Sequence, residues 1–353
     1  MKRITVILFS LMVALLLAGL CSCKQEVTPE EQKNDFPEWD KSSNGLQNLP
    51  EIDVTGAETG VSEALIYGLY NPPEFKSAKN LIVIVCEGLT SELIESAAQN
   101  GNLIINSLPV AGRTTSKFTS SDGKLLSDYI RNDQFKTITG IMVHGDTACN
   151  SMRRITTTKD NDAEASSVYY SQFLINPPLV YVMGLGDFDE EFSPGSAEYL
   201  NEVYKSSGKK VSTMQEAIEL FKNENVKFDA GGSYQHEGAV RKLFTIFESS
   251  ETMPSYRQEM AFSLAWMQWK MDRDGFCLIS SYCADSLDAA GVKEFDEGVA
   301  VAAKYVLENP DTALLICGCP KDGSEAEVCF YGLGKGVSAR STMYEGVQSL
   351  YEK

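Results

Sequence analysis

The stretch A-K-N-L-I-V-I-V-C-E-G-L-T, Ala78 to Thr90, decides how the chain folds. Leu81 to Val85 is an unbroken β-branched apolar run, preceded by Lys79-Asn80 and followed by Glu87-Gly88. Such a run reads as a strand buried on both faces, the pattern of a central strand in a parallel sheet. Ligands of open α/β sheets bind beyond the carboxyl ends of the strands, which makes Glu87 a candidate ligand. A solvated turn glutamate is the plainer reading of the same residue.

Working outward, the same alternation of apolar strand and amphipathic helix repeats. Ser91 to Asn100 has helical spacing, with Leu93, Ile94 and Ala97 on one face, and Lys124 to Arg131 reads as a second helix. Phe135 to Val143 is a strand that runs into His144-Gly145-Asp146, and Leu179 to Met183 is another that ends in Gly184-Leu185-Gly186-Asp187. Asp160 to Gln172 reads as a helix and loop, Thr213 to Asn223 as a helix, and Leu243 to Phe247 as a further strand. Pro254 to Asp274 forms a long helix, Gly275 to Ser280 a strand, Glu294 to Leu307 an alanine-rich helix, and Asp311 to Ile316 a strand ending in Cys317-Gly318-Cys319. Short strands around Val328 to Tyr331 and a helix near Tyr344 to Leu350 close the chain. Strands alternating with helices predict a three-layer α/β/α sandwich around a mostly parallel sheet.

The 353 residues suffice for one large α/β domain or two small ones, and the net charge of −18 argues against a nucleic-acid partner. Met1 to Cys23 reads as a lipoprotein signal peptide: Lys2-Arg3, the apolar stretch Ile4 to Leu20, then Leu20-Cys21-Ser22-Cys23, which resembles a bacterial lipobox. On this reading Cys23 carries the lipid and ties an exported protein to a bacterial membrane, periplasmic or outer surface. A plain cleaved signal and an uncleaved anchor helix are the other readings. Residues 24 to 56 are polar, acidic and contain Pro29, Pro37 and Pro50, as a flexible tether does. Residues 57 to 353 form the folded domain.

The strand from Lys79 to Thr90 resembles the first metal-ligand strand of the alkaline phosphatase family, which reads K-N-V-I-hydrophobic-I-G-D-G-M-G, with Glu87 in place of the aspartate that bridges two metal ions. Phe135 to Ala148 is similar to G-Y-K-T-G-I-V-T-T and H-A-T-P-A. Val182 to Phe188 is similar to V-I-L-G-G-G, and Met253-Pro254-Ser255 to M-P-S-L. Gly275 to Ser281 matches G-F-F-L-M-V-E-G, Glu294 to Val299 the helix with F-D-x-A-V, and Asp311 to Ile316 the D-T-L-V-I-V strand. The ordered series implies the alkaline-phosphatase-like fold over nearly the whole domain.

The resemblance also implies a two-zinc, one-magnesium site, and the carry-over is partial. The D-S-A-A nucleophile region has no counterpart; Ser120 and Ser121, within Thr114 to Asp122, are the candidate hydroxyls. His144 matches the magnesium-side histidine, and Asp146 replaces the threonine two positions on. Ser281 stands for the glutamate of V-E-G, Ser286 for the zinc aspartate that follows, and Cys319-Pro320 for the aspartate and histidine of T-A-D-H. The chain has only two histidines, His144 and His236, so the full three-metal site is not expected. Glu87, His144 and Asp146 remain as a set for one divalent cation, magnesium or zinc, or as helix caps bonded to one another. Arg153 and Arg154 lie a few residues before the family's phosphate-binding arginine; each is a candidate for an anion or a surface arginine.

Seven cysteines follow the signal, among them Cys86, Cys283, Cys317 and Cys319 at expected strand ends. The fold implied by the resemblance brings those ends together. This opens three possibilities: a disulfide from Cys283 to Cys317 or Cys319, a thiolate metal site, or free buried thiols. Three functions are open: a non-catalytic membrane-anchored lipoprotein that binds a protein partner or small anionic ligand, an active phosphomonoesterase with a remodelled metal site, and a structural envelope protein.

Overall fold

The computed structural model describes residues 63–99, 101–130, 138–145, 150–156, 179–185, 208–211, 226–228, 234–236, 242–247, 254–270, 275–283 and 287–352. All fall within one unit, Trp39–Lys353. The described residues form eleven strands, in chain order β1 Asn80–Glu87, β2 Val110–Thr115, β3 Ile138–Gly145, β4 Leu179–Leu185, β5 Gly208–Val211, β6 Val226–Phe228, β7 Tyr234–His236, β8 Lys242–Phe247, β9 Cys277–Cys283, β10 Thr312–Cys319 and β11 Glu327–Leu333. Nine of them form one sheet in the order β2-β11-β10-β1-β9-β3-β4-β8-β5, and β6 pairs with β7 apart from it. Every pairing from β10 to β5 is parallel; only β11, antiparallel to β10 and β2, breaks the pattern. The expected mostly parallel α/β sandwich is therefore the fold, and the stretch that opens the sequence analysis, β1, is wholly buried between β10 and β9.

Helices cover both faces, as parallel strands require. They are α1 Glu63–Tyr70, α2 Ser91–Ala98, α3 Asn150–Thr156, α4 Tyr256–Lys270, α5 Ala289–Glu308 and α6 Met343–Gln348. The odd-numbered residues of β1, Leu81, Val83 and Val85, join Ile279, Leu315, Cys317 and Cys319 in one core with Met152 and Ile155 of α3 and Tyr344 and Val347 of α6. The even-numbered positions face α4 and α5: Tyr256 bonds Ser280, and a Cβ at Gly140 would lie 2.8 Å from the Met267 sulfur. These faces are apolar on both sides, so burying each Leu, Ile or Val contributes about 1.5–3 kcal/mol.

Local sequence explains the element ends. Thr90 caps α2 by accepting from the Leu93 amide, and Asp288 caps α5 by accepting from Ala290 and Gly291. Thr342 caps α6 through the amide of Glu345, the spacing of a capping box. Asn80 ties three strand starts together, donating to Thr312 Oγ1 and accepting from the Phe276 amide.

Several expectations shift. Val110–Thr115 is an edge strand where the sequence reads as a passage into polar chain; Ala111, Gly112 and Arg113 are exposed in a row, so no alternation marks it. The helix expected over Lys124 to Arg131 begins at Leu126 and stays helical to Ile130, beyond which the chain is outside the described residues. The strand after Gly275 runs on to Cys283, since its polar Ser280 and Ser281 find partners inside. The segments Asp160 to Gln172 and Thr213 to Asn223, the signal and the tether lie outside the described residues. Among the described residues no helix is long and apolar enough to cross a membrane.

Candidate functional site

The carboxyl ends of β1, β9, β3 and β10 lie side by side, and strand parity sorts their side chains. Cys86 pairs in register with Tyr282, and Tyr282 with His144, so these three share the α4/α5 face. Glu87 pairs with Cys319 one step further on and lies on the α3 face. The sheet thus separates Glu87 from His144, and the candidate set of Glu87, His144 and Asp146 does not converge through these two. Asp146 lies outside the described residues.

On the α3 face Glu87 is 7% exposed, and its Oε1 accepts the Ser151 amide at 2.5 Å. The carboxylate caps the start of α3, the helix-cap alternative of the sequence reading. Ser151 donates its hydroxyl to Ser281 Oγ at 3.2 Å, so the position matching the V-E-G glutamate carries a buried hydroxyl pair. Arg154 projects from the same helix. Its Nη2 donates to the Ser116 carbonyl at 2.6 Å and its Nη1 to the Ser324 carbonyl at 2.8 Å, while the guanidinium lies over Phe118. This arginine fastens two chain segments and is 19% exposed, with Glu325 Oε1 3.8 Å from its Nη2. Arg153 belongs to α3, and its side chain is not among those described.

Ser120 and Ser121 sit in a turn. Ser120 Oγ accepts the Lys124 amide at 2.8 Å and donates to Asp122 Oδ1, which engages the hydroxyl in holding the turn. A cavity of 360 Å³ lies beside it, lined among others by Lys117, Ser121, Tyr129 and Tyr344.

The expected bridge from Cys283 to Cys317 or Cys319 is overturned: both latter residues are free thiols, as are Cys86, Cys277 and Cys329. Cys283 is disulfide-bonded, but to neither of them. The reason is topological. β1 stands between β9 and β10, so Cα atoms on those strands are about 9.5 Å apart, beyond disulfide reach. Burial pushes the Cys319 thiol up to about 12 and holds Cys86 and Cys317 well above their usual range. Without a metal beside them these thiols are held protonated and pack as small apolar side chains.

On the opposite face His144 is enclosed by groups the sequence reading missed. Its Nδ1 lies 2.8 Å from Glu259 Oε2 and its Nε2 3.5 Å from Glu294 Oε1. Tyr282 stacks on the ring at 4.9 Å and Tyr256 meets it edge-on at 5.4 Å. Tyr282 donates to Glu294 Oε2 at 3.1 Å. Burial alone would lower the histidine, but the two carboxylates carry it up to about 9. Burial lifts Glu259 to about 7, and the bond to His144 holds it from going further. Tyr256 and Glu259, three apart at the start of α4, were the available signal: they share a helical face at the end of the strand that carries His144. Glu294 was hidden inside a motif read for its neighbours Phe295 and Asp296.

Ser281 and Pro320 stand where the resemblance puts a glutamate and a histidine, so these two positions do not supply the donors of a two-zinc, one-magnesium centre. Among the described residues no group of three or more His, Cys, Asp or Glu side chains is arranged to hold a metal ion. The remaining histidine, His236, lies on β7 in the small second sheet.

No family model and no curated protein matches the chain. Solved structures do. Alkaline phosphatase from the Antarctic bacterium TAB5 superposes with a TM-score of 0.56 at 10% identity, covering 78% of this chain and 98% of that one. Two variants of that enzyme substituted at one histidine, with Mg bound in the M3 site, superpose at TM-scores of 0.53 and 0.54 and 12% identity, covering 78% of this chain and 97% of theirs. At such identity the likeness speaks of architecture, and together with the parallel sheet and its helical layers it shows that the chain has the alkaline-phosphatase-like fold.

Proposed function

We propose that this protein is a non-catalytic member of the alkaline-phosphatase-like fold, exported and tied to a bacterial membrane through lipid on Cys23, and that it binds a protein partner or a small anionic ligand. One observation carries the reading. Glu87, at the place of the family's bridging aspartate, spends its buried carboxylate on the Ser151 amide, beside a Ser151–Ser281 hydroxyl pair where the family pattern has a glutamate. A carboxylate that caps a helix and a hydroxyl in place of a second carboxylate make a poor cradle for hard or borderline cations, which need several anionic or imidazole donors. Arg154, held on two carbonyls, and Ser120, held in its turn, leave phosphoryl transfer without an evident anion clamp or activated nucleophile.

The full-length protein, purified in detergent, tests this by turnover of p-nitrophenyl phosphate with added zinc and magnesium. Turnover at background is expected. Hydrolysis that a chelator abolishes would overturn the reading in favour of a remodelled phosphomonoesterase. Lipidation is checked separately: the mature N-terminus should be a lipid-modified Cys23, and Cys23→Ser should leave the membrane fraction.

A further inference from the structure

The proposed function makes no use of the 360 Å³ cavity beside the Ser120 turn. Two fixed walls enclose it. One is the chain after β2, where the Ser120 amide donates to the Lys124 carbonyl at 2.9 Å and the Lys124 amide to Ser120 Oγ at 2.8 Å. The other is α6 and the residues just beyond it. The Tyr344 amide donates to the Lys117 carbonyl at 3.1 Å and the Thr115 amide to the Ser341 carbonyl at 3.0 Å, which ties the walls together. A cavity whose walls are already fastened needs little ordering when a ligand enters. Tyr129 and Tyr344, with ring centroids 5.6 Å apart, also line it.

The charges of the lining select the class of ligand. Lys117 and Lys124 share the cavity with Asp122, Glu345 and Glu352. Three carboxylates against two ammonium groups disfavour a phosphate or sulfate, and no arginine fork lines the cavity to grip one. An apolar ligand would strip water from these charges without replacing its hydrogen bonds. Asp122 is engaged by Ser120 Oγ and Glu352 by Gln348 Nε2. Among the described residues the side chains of Lys117 and Glu345 have no hydrogen bond or ion pair, which leaves one donor and one acceptor unspent. An ammonium only donates and an ionised carboxylate only accepts, whereas a sugar hydroxyl does both and is satisfied between them. The volume stands at the small end of ligand pockets, the size for one ring rather than an extended chain.

We propose that this cavity binds one uncharged sugar ring, free or at the end of a glycan. Lys117 donates to its hydroxyls, Glu345 accepts from them, and the tyrosine pair offers apolar surface to its C–H face. The site uses neither Glu87 nor Arg154 and does not rest on the absence of catalysis.

The test is saturation-transfer NMR on the full-length protein in a sugar-free detergent. The probes are glucose, galactose, mannose and N-acetylglucosamine, with glycine as a zwitterionic comparison. Transfer to the ring protons of at least one sugar is expected. Glu345→Gln, at an exposed position, should keep its fold by circular dichroism and weaken binding about tenfold or more, the effect of losing a hydrogen bond to a charged group. Lys117→Gln should do the same from the donor side. Maltose, lactose, mannobiose and chitobiose are then compared with the single sugars. Binding at least as tight identifies the end of a glycan and weaker binding a free sugar, and either supports the site. No transfer to any sugar would overturn the proposal, as would transfer to glycine alone. A sugar signal that both substitutions leave at full strength would place the ligand elsewhere and overturn it too. Phosphatase turnover is read independently, so failure of this site and failure of the non-catalytic reading are told apart.

Discussion

The two faces of the sheet, at the same carboxyl end, solve the burial of a glutamate in opposite ways. On the α3 face Glu87 accepts a backbone amide and lies beside a hydroxyl pair and the Cys319 thiol. On the α4/α5 face Glu259 is neutralised by an imidazole, itself shared with Glu294 and walled by two tyrosines. The first is a satisfied structural cap whose partners are spent. The second sets a histidine between two carboxylates, one buried and one partly exposed. The difference teaches that the strand-end acid which a family pattern points to need not be where the chemistry of this chain lies.

The contrast breaks most plainly if His144 is removed. His144→Ala leaves Glu259 buried and unpaired, and chemical denaturation should show a loss of about 3–5 kcal/mol, the cost of breaking a buried ion pair from one side. A loss below about 1 kcal/mol, the surface-pair range, would mean that water reaches Glu259 and that the two faces do not differ in kind.

The next effect is one of pH, measured in chelator-containing buffer. His144 is raised from its ordinary 6.5 to about 9 in the folded protein. A group raised on folding contributes stability that is complete below its unfolded value and lost as pH rises through its folded one. The His144 contribution is therefore full below pH 6.5 and gone above about 9, a span worth on the order of 3 kcal/mol. With only two histidines in the chain, NMR titration resolves His144, and Glu259→Gln should bring its midpoint back toward 6.5. An unchanged midpoint would assign the shift to Glu294 alone.

Smaller is the effect at the helix contact that holds Tyr256 in place. A Cβ at Gly298 would stand 2.2 Å from Tyr256 Cδ1, so Gly298→Ala forces the α4–α5 contact apart. Overpacking of this kind costs about 1–3 kcal/mol, against about 1 kcal/mol gained from helix propensity. The net loss should come with a displaced His144 NMR shift.

The smallest effect belongs to the α3 face. Glu87→Ala removes a cap and leaves the Ser151 amide to find another acceptor, a loss of about 1–2 kcal/mol in thermal unfolding. A loss as large as that of His144→Ala would erase the distinction between a cap and a buried ion pair.

Much of the architecture was legible in the sequence. The apolar run Leu81 to Val85 marks a doubly buried strand because a central parallel strand must be apolar on both faces. The spacing of Leu93, Ile94 and Ala97 marks α2, whose buried face holds Ile94 and Ala97. Those signals are local: they depend on the residue and its near neighbours. The edge strand Val110–Thr115 was not legible, since only its pairing to β11 makes it a strand.

The site was decided by tertiary structure. Glu87 and His144 each end an apolar strand, and nothing in either segment says that they project to opposite faces. That follows from the register between strands, in which His144 aligns with Tyr282 and Cys86 while Glu87 falls one residue beyond. An offset of one residue reverses the face of a side chain. The same holds for the cysteines, where β1 inserted between β9 and β10 denies Cys283 its expected partners. Glu259 and Glu294 meet His144 from 115 and 150 residues away (259 − 144 and 294 − 144). The sequence by itself determined which segments are strands and helices, because propensity, periodicity and capping act over a few residues. Only the tertiary structure decided which charges meet, because that depends on register and strand order, which act across the whole sheet.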